Sequence, residues 1–186
     1  MDELNDYSGA YKPDLKWEDF SKEFLIKLMK SWQNAYLSLS AFWHEAVKER
    51  SGPQVADDCD LEVWQKVGEN VVPRFAKVAN IQLNTVLDSL KLTDMCPDSK
   101  MGTGLFEGEV EVIDDNHVIA TTTKCRVLEA LEKTDPARID WFCKVMEPQI
   151  MQKYLNNPRI KVTPLKLPPR SSPDEIPCKF DIRLED

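Results

Sequence analysis

The period of the hydrophobic pattern changes near Gly104, and this change constrains the fold more than any other feature of the sequence. Before Gly104, apolar residues recur every three or four positions, which is the period of a helix with one buried face. After Gly104, β-branched residues alternate with polar ones, as at Val110 and Val112. The order predicts an α+β fold in which N-terminal helices pack on an antiparallel sheet, with one further long helix before the last two strands.

Three helices are predicted in the first half of the chain. The first covers residues 17–50, as one long helix or two short ones. It ends at residues 51–53, a Ser-Gly-Pro sequence, because Gly favours the position after a helix and Pro cannot continue one. A second helix is expected to begin near Asp58 or Asp60, where the helix dipole favours acidic residues. The apolar spacing predicts a third helix over residues 81–90.

Strands and one more helix are predicted in the second half. The polar turn at residues 114–116 separates two β-branched runs, which indicates a hairpin. A third strand is expected over residues 124–132. A helix is predicted over residues 136–155, because a capping residue precedes a Pro there and apolar residues follow at helical spacing. The alternation in residues 160–165 and 179–184 predicts the last two strands.

The length of 186 residues fits one domain. Residues 1–16 are predicted to be a flexible N-terminus, and residues 17–186 a single α+β domain. Within that domain, residues 17–95 form the helical part and residues 104–186 the sheet part. No internal repeat or glycine-rich phosphate loop is present in the sequence.

Charge and cysteine content limit the partners and the compartment. The chain carries 24 Lys and Arg against 32 Asp and Glu, and its net charge is -8. A net negative charge disfavours binding to nucleic acid, because that binding depends on basic residues that neutralise the phosphates. It also disfavours binding to an anionic membrane. The acidic N-terminus differs from a signal peptide, and no apolar run spans a bilayer. Five cysteines, an odd number, indicate reduced thiols, so we expect a soluble cytoplasmic protein.

Three cysteines are candidates for a metal site. Cys125, Cys143 and Cys178 fall on three separate predicted elements, which the fold can bring together. Asp140 precedes Cys143 by one helical turn, so both side chains share a helix face. Three sulfur atoms and one carboxylate oxygen would suit tetrahedral zinc, with iron as the alternative. The competing interpretation is that these are buried structural thiols, because the chain has no Cys-x-x-Cys motif.

A cysteine nucleophile is a second hypothesis for the same residues. In this hypothesis, a neighbouring base deprotonates Cys143 or Cys125, and the thiolate attacks a carbon centre of the substrate. The candidate bases are His44 and Glu49, both on the first predicted helix. The simpler interpretation of His44 is a polar residue beside the apolar stripe of that helix.

Aromatic residues predict an apolar pocket between the helices and the sheet, as is common for small-molecule sites. The competing interpretation is ordinary core packing, since aromatic residues at helical spacing usually face the core. The candidate ligand-binding residues are Trp43, Trp64, Phe75 and Trp141.

The sequence also resembles known families. The residues that carry the resemblance are Ala41-Phe42-Trp43, Glu49, Gly52, Ala56, Asp60 and Trp64, followed by Cys125, Cys143 and Cys178. From about Leu25 to its end the chain resembles a bacterial and archaeal family of small cysteine-containing domains. That family is similar to the L-2-amino-thiazoline-4-carboxylate hydrolases, which also end in a Cys-x-Phe strand, here Cys178-Lys179-Phe180. A weaker similarity links it to 4-vinyl reductase domains, small-molecule binding modules of which some hold zinc through cysteines and an acidic residue.

Three functions follow as expectations. The first is a cytoplasmic small-molecule binding or accessory protein, whose cysteine cluster holds a metal or orders the C-terminal strands. The second is implied by the resemblance to the hydrolases: an enzyme that opens a C-N bond in a small cyclic amidine or amide. The third is a structural subunit of a larger complex. The expected assembly is a homodimer or a larger complex.

Overall fold

The chain begins with two long antiparallel helices. The structure is a computed structural model that describes residues 3–185. Residues 1, 2 and 186, which include the start of the predicted flexible N-terminus, lie outside the described residues. Helix α1 spans Lys22–Ser51 and helix α2 spans Pro53–Ala79, so the first predicted helix is one long helix. Although α1 has 30 residues, no helix within residues 3–185 has the length and apolar character needed to cross a membrane.

A single residue, Gly52, separates α1 from α2. Its φ of 87° lies in the left-handed region, which glycine adopts without strain. Pro53 follows in the first turn of α2, where the N–H that proline lacks would have no helical partner. The prediction that the second helix begins near Asp58 or Asp60 is therefore wrong, because Pro53 itself starts the helix.

Within the described residues, four strands form one antiparallel sheet in the order β1-β2-β4-β3. The strands are β1 (Phe106–Asp114), β2 (His117–Cys125), β3 (Ile160–Lys166) and β4 (Cys178–Leu184). The predicted hairpin and the two predicted final strands are confirmed. The α+β class is confirmed as well, with β1 and β3 at the edges of the sheet.

A helix replaces the third predicted strand. Helix α4 spans Arg126–Thr134, directly after β2. Leu128 and Leu131 are buried, whereas Ala130 and Lys133 are exposed, so only one side of this segment is covered. A short apolar run fits a helix or a strand by its pattern alone. The prediction of a strand over residues 124–132 is wrong because the buried residues follow the helical spacing.

The third helix begins later than predicted. Helix α3 spans Val86–Asp94. Thr85 caps it, since the Asp88 backbone N–H donates to the Thr85 hydroxyl oxygen at 3.1 Å. The preceding residues 81–84 are a loop, so the apolar residues there contact the core without being helical.

The further long helix before the last two strands has three consecutive parts. These are α5 (Ile139–Trp141), a π-helical turn (Phe142–Met146) and α6 (Glu147–Tyr154). The backbone N–H of Glu147 donates to the carbonyl oxygen of Phe142, five residues earlier instead of four. π-helical turns are rare and frequently occur at functional sites.

The helical and sheet parts share a core. On one face of the sheet, Val118, Phe180 and Ile182 pack against Val86 of α3 and Leu155. Further from the sheet, a second cluster joins the helices through Val72 of α2, Leu92 of α3 and Tyr154 of α6, together with Cys96. A third cluster contains Cys125, Leu128 and Cys143.

The N-terminal segment contacts the start of α1. The backbone N–H of Leu4 donates to the Asp19 carbonyl at 2.8 Å, and the N–H of Ser21 donates to the Leu4 carbonyl at 2.9 Å. Phe20 is buried and stacks on Phe24 of α1. The predicted flexible segment is therefore connected to the helical part by backbone hydrogen bonds.

Gly68 determines how closely α2 approaches α6. A Cβ atom at this position would lie 2.9 Å from the Lys153 Cβ and 3.1 Å from the Lys153 backbone carbonyl carbon. The Asn156 side-chain amide also donates to the Gly68 carbonyl at 3.2 Å. The two helices therefore pack through their backbones at this point, which no larger residue permits.

We predict that Gly68→Ala destabilises the protein. The added methyl group overpacks the contact with α6, which costs roughly 1–3 kcal/mol of stability. This cost offsets or exceeds the gain of about 1 kcal/mol from the higher helix propensity of Ala. The melting temperature should fall by about 2–4 °C for each kcal/mol lost. Gly9→Ala is the control, because no atom lies within 4 Å of its Cβ position. A Gly68→Ala protein more stable than the wild type would contradict this account of the contact.

Candidate ligand-binding site

A cavity of about 250 Å³ lies between the sheet and the helices α3 and α6. Its sheet wall includes Val110, Ala120 and Phe180, and its helix wall includes Met151 and Tyr154. Most of the lining is apolar. The site is therefore a pocket on the covered face of the sheet, between the layers that the sequence predicted.

A second cavity, of about 370 Å³, lies between α1, α2 and the long helix. Of the two cavities, only the second has a volume within the range of roughly 300–1,000 Å³ that is typical of small-molecule sites. The two cavities have a common wall. The residues that line both are Asp98, Phe106, Phe142, Glu147 and Ile150.

The three predicted cysteines converge at the first cavity. Cys125 ends β2, Cys143 lies in the π-helical turn and Cys178 begins β4, and all three line the cavity. Burial raises the pKa of Cys125 and Cys143 to about 12 and that of Cys178 to about 11. Cys96 also lines the cavity, and burial raises its pKa to about 12. In this state the thiols are protonated at neutral pH and are weak nucleophiles.

Cys125 also has a structural role. Its sulfur accepts the backbone N–H of Leu128 at 3.3 Å and so caps the N-terminus of α4. Cysteine is unusual in a position that Ser, Thr, Asp or Asn normally occupies. The hydrogen bond lowers the pKa of the Cys125 thiol, but burial has the larger effect.

Glu147, rather than Asp140, is the acidic residue that faces the cysteines. The side chain of Asp140 is 68% exposed and pairs with Lys144 at 2.6 Å. It lines neither cavity, although its charge raises the pKa of Cys143 slightly. In a regular helix Asp140 and Glu147 would share one face. The extra residue of the π-helical turn rotates Glu147 by roughly 100° relative to Asp140 and directs it inward.

Two half-buried carboxyl groups, those of Asp98 and Glu147, line the wall between the cavities. Burial, together with the charge of Asp98, raises the pKa of Glu147 from 4.5 to about 7. Burial also raises the pKa of Asp98, which lies in the loop between α3 and β1. No cation opposes the shift of Glu147. A carboxyl group with a pKa near neutrality exchanges a proton readily and is sensitive to any positive charge nearby.

An ion-pair network forms the far wall of the second cavity. The Arg138 guanidinium donates to Asp57 at 2.6 Å and to Asp60 at 3.0 Å, and it lies 5.5 Å from the Trp141 ring centroid. The His44 Nε2 lies 3.1 Å from the same Asp57 oxygen. Burial raises the pKa of Asp60 even though Arg138 opposes the shift. The charge of Arg138 is thus shared between two aspartates of α2.

The other predicted residues are divided between the site and the rest of the molecule. His44 and Trp64 line the second cavity. Glu49 and Trp43 are exposed on α1 and line neither cavity. Phe75 packs against the cluster that contains Val72, and Trp141 contacts Arg138. Of the four predicted aromatic residues, the cavities therefore include only Trp64.

Sequence reasoning missed Glu147, Asp98 and Arg138. Glu147 follows Cys143 by four residues, so the helical spacing that indicated Asp140 also fitted Glu147. Asp98 lies in a polar loop, and no pattern distinguishes it from its neighbours. Arg138 follows a Pro at a predicted helix start, where a charged residue is ordinarily exposed.

The cysteines do not form a preassembled metal centre. Within residues 3–185, no group of three or more His, Cys, Asp or Glu side chains is arranged to hold a metal ion. Cys125, Cys143, Cys178 and Glu147 nevertheless line the same cavity. They come from three elements: β2, β4 and the long helix that carries both Cys143 and Glu147. Metal ligation by these residues stays a prediction.

Comparison with known proteins gives a family without an assigned activity. Residues 18–184 match the model of a family of unknown function, DUF6125. No curated protein and no solved structure matches the chain. The resemblance to the thiazoline hydrolases and to the 4-vinyl reductase domains stays a prediction.

The capping role of Cys125 leads to one prediction. Cys125→Ser keeps an acceptor for the Leu128 N–H and should be more stable than Cys125→Ala by about 1 kcal/mol. The same pair of substitutions at Cys143, whose sulfur accepts no backbone N–H, is the matched control. Urea unfolding of the four variants measures both differences. Equal stability of the two Cys125 variants would show that the cap contributes nothing.

The raised pKa of Glu147 predicts a pH-dependent stability. The folded protein holds this proton more tightly than the unfolded chain, so the contribution is fully present below pH 4.5 and disappears as the pH rises to about 7. Relative to Glu147→Gln, which cannot titrate, the wild type should lose up to about 3 kcal/mol over this interval. Urea unfolding at a series of pH values measures the difference. A difference that is constant with pH would contradict the assignment.

Proposed function

We propose that this chain, which belongs to that family of unknown function, is a binding protein for a small cationic ligand. The ligand lies in the two adjoining cavities, with its positive charge between Glu147 and Asp98. The observation that carries the proposal is the presence of these two half-buried carboxyl groups, both with raised pKa values, on the common wall of the cavities.

The protein itself does not supply a free positive charge at this wall. Among the described lining residues, Lys100 pairs with Asp94 at 3.5 Å, and Arg138 pairs with Asp57 and Asp60. An opposite charge within about 4–6 Å favours the ionised form of a carboxyl group. A cationic ligand would therefore lower the pKa of Glu147, and the ionisation of Glu147 would strengthen binding by the same free energy.

The remaining walls favour a ligand with an apolar body. Phe106, Phe142 and Ile150 lie next to the two carboxyl groups and line both cavities. Such a combination of apolar walls and a few polar groups is typical of sites for small organic molecules, where the polar groups fix the orientation. The class of ligand that fits is an aromatic or aliphatic amine or amidine.

A metal ion is the other source of the same charge. Cys125, Cys143 and Cys178 lie in the cavity with Glu147, and zinc or iron would replace the thiol protons on binding. This occupant requires the side chains to rotate from their present positions, because no ligand set is assembled. The organic cation requires no such change and is therefore the first choice.

The alternatives from the sequence have less support. A hydrolase with a cysteine nucleophile needs a thiolate, whereas burial keeps the pKa of Cys143 and Cys125 at about 12. A purely structural subunit needs no cavity, whereas this protein contains two adjoining cavities. Ligand binding uses both the cavities and the carboxyl groups.

Matched pairs of compounds test the proposal. Benzamidine and benzamide, and benzylamine and benzyl alcohol, have similar shapes but differ in charge. We expect the cationic member of a pair to raise the melting temperature, and to do so more at pH 8 than at pH 6, because Glu147 ionises near pH 7. Glu147→Gln should remove the preference for the cation, while Glu111→Gln on the exposed strand β1 should retain it.

Elemental analysis separates the two sources of charge. The protein is purified under reducing conditions without added metal, and its reactive thiols are counted before and after unfolding. About one zinc or iron per chain, with thiols that react only after unfolding, would identify the metal as the occupant. Stabilisation by neither the cationic compounds nor zinc would contradict the proposed function.

A further inference from the structure

Large, partly exposed apolar side chains form a stripe along one side of α1. Met29, Trp32, Tyr36, Leu39 and Trp43 follow each other at alternating steps of three and four residues, and each is between 37% and 67% exposed. This spacing is that of the seam of a coiled coil, where such residues pack against another helix. We call these five residues the outer seam of α1.

The outer seam lies beside the inner face, by which α1 packs on α2, and its central residue Tyr36 also contacts α2 through the Trp64 ring. That inner face includes buried His44 together with half-buried Leu37 and Ser40. Charged residues such as Lys27 and Glu45 lie on a third side of the helix, away from the seam. A surface that is rich in aromatic residues and Met, and that lacks charge at its centre, has the composition of an interface core.

The seam is large enough for a stable interface. A Trp, Tyr or Phe side chain exposes roughly 150–250 Å² when unburied, and those of the seam remain about half exposed. Trp17 packs against Trp32 at 6.0 Å between ring centroids, and Phe42 borders Trp43, so both extend the patch. The total is about 700 Å², close to the roughly 800 Å² per partner of a typical complex. Monomeric proteins rarely expose apolar patches of this size.

The seam is complementary to itself. When two copies of α1 lie antiparallel and cross at Tyr36, Met29 of one copy faces Trp43 of the other, and Trp32 faces Leu39. Each Trp thus meets an aliphatic side chain, and the exposed parts of the two Tyr36 side chains, whose rings pack on Trp64 of the same copy, lie next to the symmetry axis. Every position of the outer seam has a partner in this register, as a two-fold interface requires.

We infer that a second copy of this chain covers the outer seam, and that the protein is an antiparallel two-fold dimer through α1. The inference does not depend on the proposed ligand, because no residue of the seam lines either cavity. Failure of one therefore leaves the other in place.

The mass in solution tests the inference. Sedimentation equilibrium of the full chain at micromolar concentration should give twice the 21.4 kDa of one copy. Leu39→Glu should weaken the dimer more than tenfold in Kd, because it buries a charge in the seam. Val78→Glu is the matched control, because Val78 is 88% exposed on α2 and should not affect the mass. A monomeric wild type would overturn the inference.

A charge pair tests the orientation. Met29→Lys and Trp43→Glu should each weaken the dimer, whereas the double variant should recover part of the loss. In the antiparallel register each Lys faces a Glu, whereas a parallel pair would place like charges together. Circular dichroism confirms that each variant is folded. If the double variant were weaker than both single variants, the antiparallel register would be wrong.

Discussion

The close packing of α2 on the helix that ends at Tyr154 joins the helical hairpin and the sheet into one domain. Gly68 lets the two backbones approach, and Asn156 adds a hydrogen bond to the Gly68 carbonyl. At the other end of α2, Arg138 binds Asp57 and Asp60. Between these two contacts α2 and the long helix enclose the second cavity. The position of every residue in the candidate site depends on this pair of helices.

Burial of acidic groups gives the site its chemical character. Four thiols and the carboxyl groups of Asp98 and Glu147 line the pair of cavities, and the pKa of each is raised because its charged form is poorly solvated. The nearby cations are already paired with aspartates. Such a site favours binding of a cation. Without a bound cation, the thiols stay protonated and unreactive. The same argument explains why binding has more support than nucleophilic catalysis.

Helix α1 has two apolar faces, which make different contacts. The inner face contacts α2 and carries His44 into the wall of the second cavity. Two residues of the outer seam also make aromatic contacts within the chain: Trp32 touches Trp17, and the central Tyr36 touches Trp64 of α2. In the sequence, the apolar residues of both faces form one periodic pattern. For this reason Trp43 was predicted to line the pocket. Only the position of α2 shows which apolar residues of α1 are inside.

The sequence alone determined most of the order of the elements. The change of period near Gly104, the Ser-Gly-Pro stop and the polar turn at residues 114–116 act locally, through backbone preferences and the burial of one face. Cys125, Cys143 and Cys178 lie on three separate elements as predicted, although Cys125 ends β2 instead of beginning a third strand. The strand predicted over residues 124–132 was wrong because its short apolar run suits either structure.

Tertiary structure decided which side chains meet. The π-helical turn directs Glu147 to the thiols and leaves Asp140 in solvent, and no local pattern reveals a single extra residue in a helical turn. Asp98 reaches the same wall from a loop, and Arg138 reaches α2 from a turn. These contacts join residues far apart in the chain. Their energies depend on burial and on neighbouring charges, which exist only once the layers have packed.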